Sequence, residues 1–167
     1  MFKRLAIGLG LAILFLVPPL MGSEALTVAV FEIDASPPIG TPLAYDPTTA
    51  VESPLSLRGL VLKGQGSPIV LCTLDWIGLS NGCLQSFRQA LAEAAGTTAE
   101  RVAVHALHQH DAPRCDFTTD ALLAQHGISQ EFSDTAFAKD VELRAARAVR
   151  ESLKQAQPIS HLGLGQA

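Results

Sequence analysis

Cysteine is scarce in this chain. Its three residues, Cys72, Cys83 and Cys115, are too few and too scattered for a disulfide framework or a CxxC zinc site. At most one disulfide can close within the chain, and the odd cysteine then has no partner. Cys72 lies in an apolar, strand-like run and reads as a small buried hydrophobe. An excess of basic charge is missing as well: 12 Lys and Arg against 16 Asp and Glu leave a formal net charge of -4, so no groove for nucleic acid is expected. Internal repeats and low-complexity tracts are absent. So is an apolar run long enough to cross a bilayer. The uncharged stretch 5–20 has about 16 residues and is broken near its end by Pro18 and Pro19, where roughly 20 are needed. With Lys3 and Arg4 before it and Ser23-Glu-Ala25 after it, the stretch reads as a signal peptide cleaved near Ala25, which predicts export to the periplasm or the exterior. No cysteine stands at the cleavage point, which argues against a lipoprotein.

Removal of that segment leaves residues 26–167, the size of one modest domain. "LTVAVFEID" (26–34) predicts a strand that "SPPIGTP" stops, followed by a long loop to residue 55. "LRGLVLKG" and "PIVLCTLDW", separated by "QGS", have the pattern of a β-hairpin. In "SNGCLQSFRQALAEAAG", Leu84, Phe87, Leu91 and Ala94 fall at helical spacing, with Ser80 or Asn81 as N-cap and Gly96 as the stop. "RVAVHAL" predicts the next strand. A short helix is expected at "DALLAQHG", and a long one over about 133–155 with Phe137, Val141, Ala145 and Ala148 on one face. "ISHLGLGQA" reads as a strand barely begun, so the chain looks like the front of something longer. The fold class is α/β: a mixed sheet with flanking helices, forming the N-terminal portion of a larger domain.

The strand, helix, strand order over 69–107 predicts a parallel pair with a right-handed crossover, whose carboxyl ends share one edge of the sheet. Ligands of open α/β sheets bind at that edge. Asp75 ends the first strand, and "HQHD" (108–111) follows the second. Alternation along an extended chain predicts His108 and His110 on one face with Val104 and Ala106, and His105 on the other. Two imidazoles so placed can converge on one ion or substrate, and neutral imidazole is a common zinc ligand. A strand end whose histidines only bond to backbone is the bland alternative. It is adopted for His105, His126 and His161, whereas metal or catalytic use is adopted for His108 and His110. Asp111 and Asp116 can serve as ligands or as partners of ligands, but turn residues flanking Pro113 are the commoner role. "GLSNG" (78–82) also matches the G-x-S-x-G nucleophile elbow between a strand and a helix; Ser80 is equally explained as a helix N-cap.

The order of motifs resembles the start of the neutral/alkaline ceramidase family. The likeness runs over nearly all of residues 27–167, from "VAVFEIDASPPIGTPLAY", with Asp34, Pro37, Pro38, Gly40 and Tyr45, to "ERVAVHALHQHDAP". The family signature H-T-H-S-G-P corresponds to His108-Gln-His110-Asp-Ala-Pro113. The resemblance implies a secreted, zinc-dependent amidohydrolase that cleaves the N-acyl bond of ceramide or a related lipid amide, with peripheral membrane contact open to it. His108 would be a zinc ligand, and His110 the catalytic residue that contacts the substrate or the developing oxyanion. Zinc would lower the pKa of a bound water and polarise the amide carbonyl, while the second imidazole donates to the oxyanion or to the leaving amine. Asp111 and Ala112 stand where the family has Ser-Gly, which bears on the substrate. The family's other ligands, a histidine, a glutamate and a tyrosine, belong beyond residue 167, and a catalytic zinc usually needs three. A non-catalytic exported domain on the same scaffold is therefore the alternative, and a serine hydrolase built on Ser80 the third reading.

Overall fold

The computed structural model describes residues 25–128, 132–163 and 165–166; the expected signal peptide falls almost wholly outside them. Alternation in "TVAVFEID" produces strand β1, Thr27–Asp34, whose Ala29 and Phe31 are buried while Val30 is 71% exposed. β2 (Ser56–Lys63) pairs antiparallel with β1 from Ser56 opposite Asp34 to Lys63 opposite Thr27. β3 (Ile69–Leu74) completes the hairpin. The short β4 (Gly78–Leu79) leads into helix α1 (Asn81–Ala95). β5 (Val102–Ala106) then lies parallel to β3, as the strand, helix, strand order predicts. β6 (Arg114–Cys115), helices α2 (Phe117–Gln125) and α3 (Thr135–Leu153), and β7 (Gln157–Pro158) follow. The main sheet has the order β5-β3-β2-β1-β7, and β4 and β6 form a separate parallel pair.

Both long helices cover one face of this sheet. Phe87 and Leu91 of α1 and Val141, Ala145 and Val149 of α3 join Ala29, Phe31, Leu57, Val61, Val70, Cys72, Leu74 and Val102 in one core. Full burial of a Phe or Leu side chain contributes about 1.5–3 kcal/mol, so this layer carries much of the stability. Gly59 sits beneath the Phe31 ring, where a Cβ would come within 2.6 Å of it; glycine is what lets the aromatic lie flat on the strand. Cys72 is buried and free, and burial pushes its thiol up to about 12, leaving it un-ionised and inert.

The opposite sheet face is also apolar. Val30, Leu60, Leu71 and Ala103 lie in one cross-strand row, and no helix of the described residues covers them. Runs that are apolar on both faces characterise sheets meant to be covered twice.

Several expectations are corrected. "ISHLGLGQA" does not form a strand among its described residues. Pairing stops at Gln157 and Pro158 opposite Val28 and Thr27, with one further bond from the Ile159 N–H to the Leu26 carbonyl. β1 begins at Thr27 and offers no longer edge. The short helix starts at Phe117 rather than at "DALLAQHG", because the Asp116 carboxylate accepts from the N–H groups of Thr118 and Thr119 and so caps it earlier. Ser80 occupies the N-cap position of α1 but makes no side-chain cap bond. Among the described residues no helix is long and apolar enough to cross a membrane.

Candidate active site

Segments 75–80 and 107–116 leave the carboxyl ends of β3 and β5 side by side, and backbone bonds zip them together. The Leu107 N–H donates to the Leu74 carbonyl at 3.0 Å, His108 to Trp76 at 3.0 Å, Ile77 to Pro113 at 2.9 Å and Ser80 to Cys115 at 2.9 Å. Trp76 pins this layer. Its indole is fully buried against Phe87 and Phe137, and its Nε1–H donates to the Ala35 carbonyl at 3.0 Å. A disulfide joins Cys83, in the first turn of α1, to Cys115 of β6, and is compatible with an oxidising compartment.

His108 and His110 do converge, with ring centroids 5.2 Å apart and planes at 79°, but not by strand alternation. β5 ends at Ala106, and His108 has φ of 64°. That left-handed conformation costs roughly 1–2 kcal/mol for a residue with a side chain, and the alternation of an extended chain does not carry through it. The cost is offset locally by the backbone bond to Trp76 and by a 2.8 Å bond between His108 Nδ1 and the Ile77 carbonyl. A carbonyl can only accept, so Nδ1 carries the proton and Nε2 presents a lone pair. This is how a protein usually orients a metal-binding histidine.

His110 is fixed from the other side. Its Nδ1 lies 2.8 Å from the Tyr45 hydroxyl, and the two rings meet edge-on with centroids 5.7 Å apart. Between them, Gln109 Nε2 donates to the Asp75 carbonyl at 2.8 Å, tying the histidine turn to the end of β3. Tyr45, Asp75, Gln109, His110 and Asp111, together with the loop 46–55, line a groove of ≈ 740 Å³. His108 is not among its lining residues. Tyr45 and Gln109 had no role assigned from sequence, since neither contact lies within one element or follows a period.

Asp75 shares the edge with the histidines as expected, but its buried carboxylate is already engaged. Burial opposes its ionisation. Hydrogen bonds from the Ser56 N–H and hydroxyl, both 2.8 Å, and from the Arg58 guanidinium outweigh this and hold its pKa below the ordinary 3.8. A depressed folded-state pKa means that Asp75 adds stability above the unfolded value, and that this is lost as pH falls through the folded one. Asp75→Asn is therefore expected to lower stability at neutral pH and to flatten the fall in stability below about pH 4. Urea unfolding across the acid range measures both; an unaltered acid limb would show that the carboxylate is not so held. Asp116 is engaged as a helix cap and by Asn81 Nδ2 at 2.6 Å, so it takes the turn role and not that of a ligand. His105 is exposed on the uncovered sheet face, His126 stands at the C-cap of α2, and His161 Nδ1 lies 2.8 Å from Ser160 Oγ. Among the described residues, no histidine bonds the Ser80 side chain, and no group of three His, Cys, Asp or Glu is placed to hold a metal ion. His108 thus fits one position of a metal centre, and these residues alone do not complete it.

A mixed α/β sheet with paired histidines at the carboxyl edge of its parallel strands defines the class of the molecule. No family model and no curated protein matches the sequence. Among solved structures, the fold is similar to "neutral ceramidase from Pseudomonas aeruginosa", with a TM-score of 0.59 and 15% identity, and to "Ceramidase complexed with C2", with a TM-score of 0.55 and 14% identity. Each likeness covers 81% of this chain and 22% of the other, so the chain spans about a fifth of their length.

Proposed function

We propose that this chain supplies the N-terminal part of a zinc-dependent amidohydrolase site acting on the N-acyl bond of a ceramide-like lipid amide. The observation that carries the reading is the His108 ring, anchored through Nδ1 on the Ile77 carbonyl, with no hydrogen-bond partner for Nε2 among the described residues and with the His110 ring centroid 5.2 Å away. Zinc, when bound, supplies a Lewis acid for the amide carbonyl and makes water a nucleophile near neutral pH. His108 would contribute one ligand through Nε2, and the remaining ligands would come from outside residues 1–167. His110, facing the groove, would donate a hydrogen bond to the carbonyl oxygen as negative charge develops there, an interaction stronger in the transition state than in the ground state. The groove beside Tyr45 and His110 would receive the amide, with Asp111 on its wall. The similarity of the fold to two ceramidase structures supports the same reading, and the Cys83–Cys115 disulfide is compatible with export.

The natural gene product containing this chain is expected to release fatty acid from an N-acyl-sphingosine reporter, to lose that activity to a chelator and to regain it with zinc. No turnover with zinc restored would favour a non-catalytic domain. Turnover indifferent to chelators but abolished by a serine-directed phosphonate would transfer the chemistry to Ser80.

A further inference from the structure

The loop that carries Tyr45 is braced at its base. The Gly40 N–H donates to the Thr48 carbonyl at 2.8 Å and the Thr48 N–H to the Thr41 carbonyl at 2.9 Å, and both threonines are buried. Pro42 and Pro47 form an antiparallel bridge, and Arg114, beside the disulfide, donates to the Leu43 carbonyl at 3.4 Å. A rigid turn therefore holds out a tyrosine that is itself 76% exposed. Burial of the ring does not explain its placement; the bond to His110 does.

We propose that Tyr45 is a positioning residue that fixes both the orientation and the tautomer of His110; this rests on His110 acting as the oxyanion donor. A phenol is a far stronger acid than a neutral imidazole N–H, so the Tyr45 hydroxyl donates and Nδ1 accepts. The only ring proton of neutral His110 is then on Nε2, the nitrogen turned away from Tyr45 and available to an incoming carbonyl oxygen. The two histidines consequently hold opposite tautomers. His108 keeps its proton on Nδ1 and offers a lone pair, whereas His110 keeps its proton on Nε2 and offers a donor. Two rings in contact are thus given complementary tasks by two partners distant in sequence, the Ile77 carbonyl and the Tyr45 hydroxyl.

Tyr45→Phe in the natural gene product tests the assignment, because it removes the hydroxyl and leaves an exposed ring whose loss of contact threatens no core. Turnover is expected to fall roughly ten- to hundredfold with KM and zinc content unchanged. In nitrogen-15 spectra of the neutral imidazoles, His110, assigned by its absence from His110→Gln, is expected as the Nε2–H form and to become a mixture of tautomers in Tyr45→Phe. A Nδ1–H signature in the unaltered protein, or a Tyr45→Phe spectrum that keeps the Nε2–H form, would overturn the proposal even if turnover falls. If the unaltered protein hydrolyses no lipid amide, the functional reading fails by itself, and the spectra still decide what Tyr45 does to His110.

Discussion

Replacing His108 by alanine in the natural gene product is expected to abolish bound zinc and chelator-sensitive hydrolysis together, whereas His110→Ala is expected to keep the metal and lose turnover. The difference follows from the partners of the two rings. His108 Nδ1 is held by the Ile77 carbonyl, so in the proposed site its Nε2 would be the ligand. Even loss of a partner that only orients a ligand costs about 10–100-fold in metal affinity, and loss of the ligand itself should exceed that. His110 meets the Tyr45 hydroxyl and lines the groove. Removal of one preorganised donor to an oxyanion costs about 10²–10³ in turnover. Metal content after dialysis and turnover at saturating substrate separate the two effects. Full zinc occupancy with undiminished turnover in His108→Ala would show the cluster to be structural. Residues 1–167 alone are expected to hold zinc weakly, because one ligand does not make a site.

A loss of stability of roughly 3–4 kcal/mol is expected when Cys83 and Cys115 are both replaced by alanine, from the closure entropy of the loop they bridge. They lie 32 residues apart in sequence, so the bond restrains the unfolded chain over most of α1 and all of β5. Against a typical stability of about 5–15 kcal/mol, such a loss is large. Alanine is the cleaner replacement, since both positions are buried and serine would strand hydroxyls there. The local consequence should be just as plain. Cys115 is the last residue of β6 and precedes the Asp116 cap, and its carbonyl accepts from the Ser80 N–H. Loosening it should therefore free the turn that carries the histidines. Denaturant midpoints with and without a reductant measure the global effect, with Cys72→Ala as the control that leaves the bridge intact. Equal midpoints would mean that the two thiols are not joined in the folded protein.

Much of the architecture was readable because it is local. Alternation in 27–34 and the hairpin over 56–74 set a strand period against the helical spacing of Phe87 and Leu91, and Gly96, at φ of 68°, ends α1 where its lack of a Cβ allows. The parallel pairing of β3 and β5 followed from element order and handedness. The helix face of 135–153 was nearly legible: Val141 and Ala145 are buried together with Ala138, Glu142, Ala146 and Val149, while Phe137 and Ala148 pack half-buried against the same core, Phe137 on Trp76. The terminal run 159–167 misled because an apolar composition implies a strand only where an edge is available to pair with it. The β4–β6 pair escaped notice since two-residue strands have no period to detect.

The sequence by itself determined that two histidines would stand at the carboxyl edge of a parallel strand pair, because strand length, helix length and handedness are properties of consecutive residues. Only the tertiary structure decided which way those rings face and which nitrogen of each is free. A left-handed His108 becomes affordable through the carbonyls of Trp76 and Ile77, about thirty residues upstream. The orientation of His110 depends on a hydroxyl 65 residues upstream. A hydrogen bond between distant segments leaves no trace in spacing or composition, so the chemistry of the pair emerges only when the sheet brings those segments together.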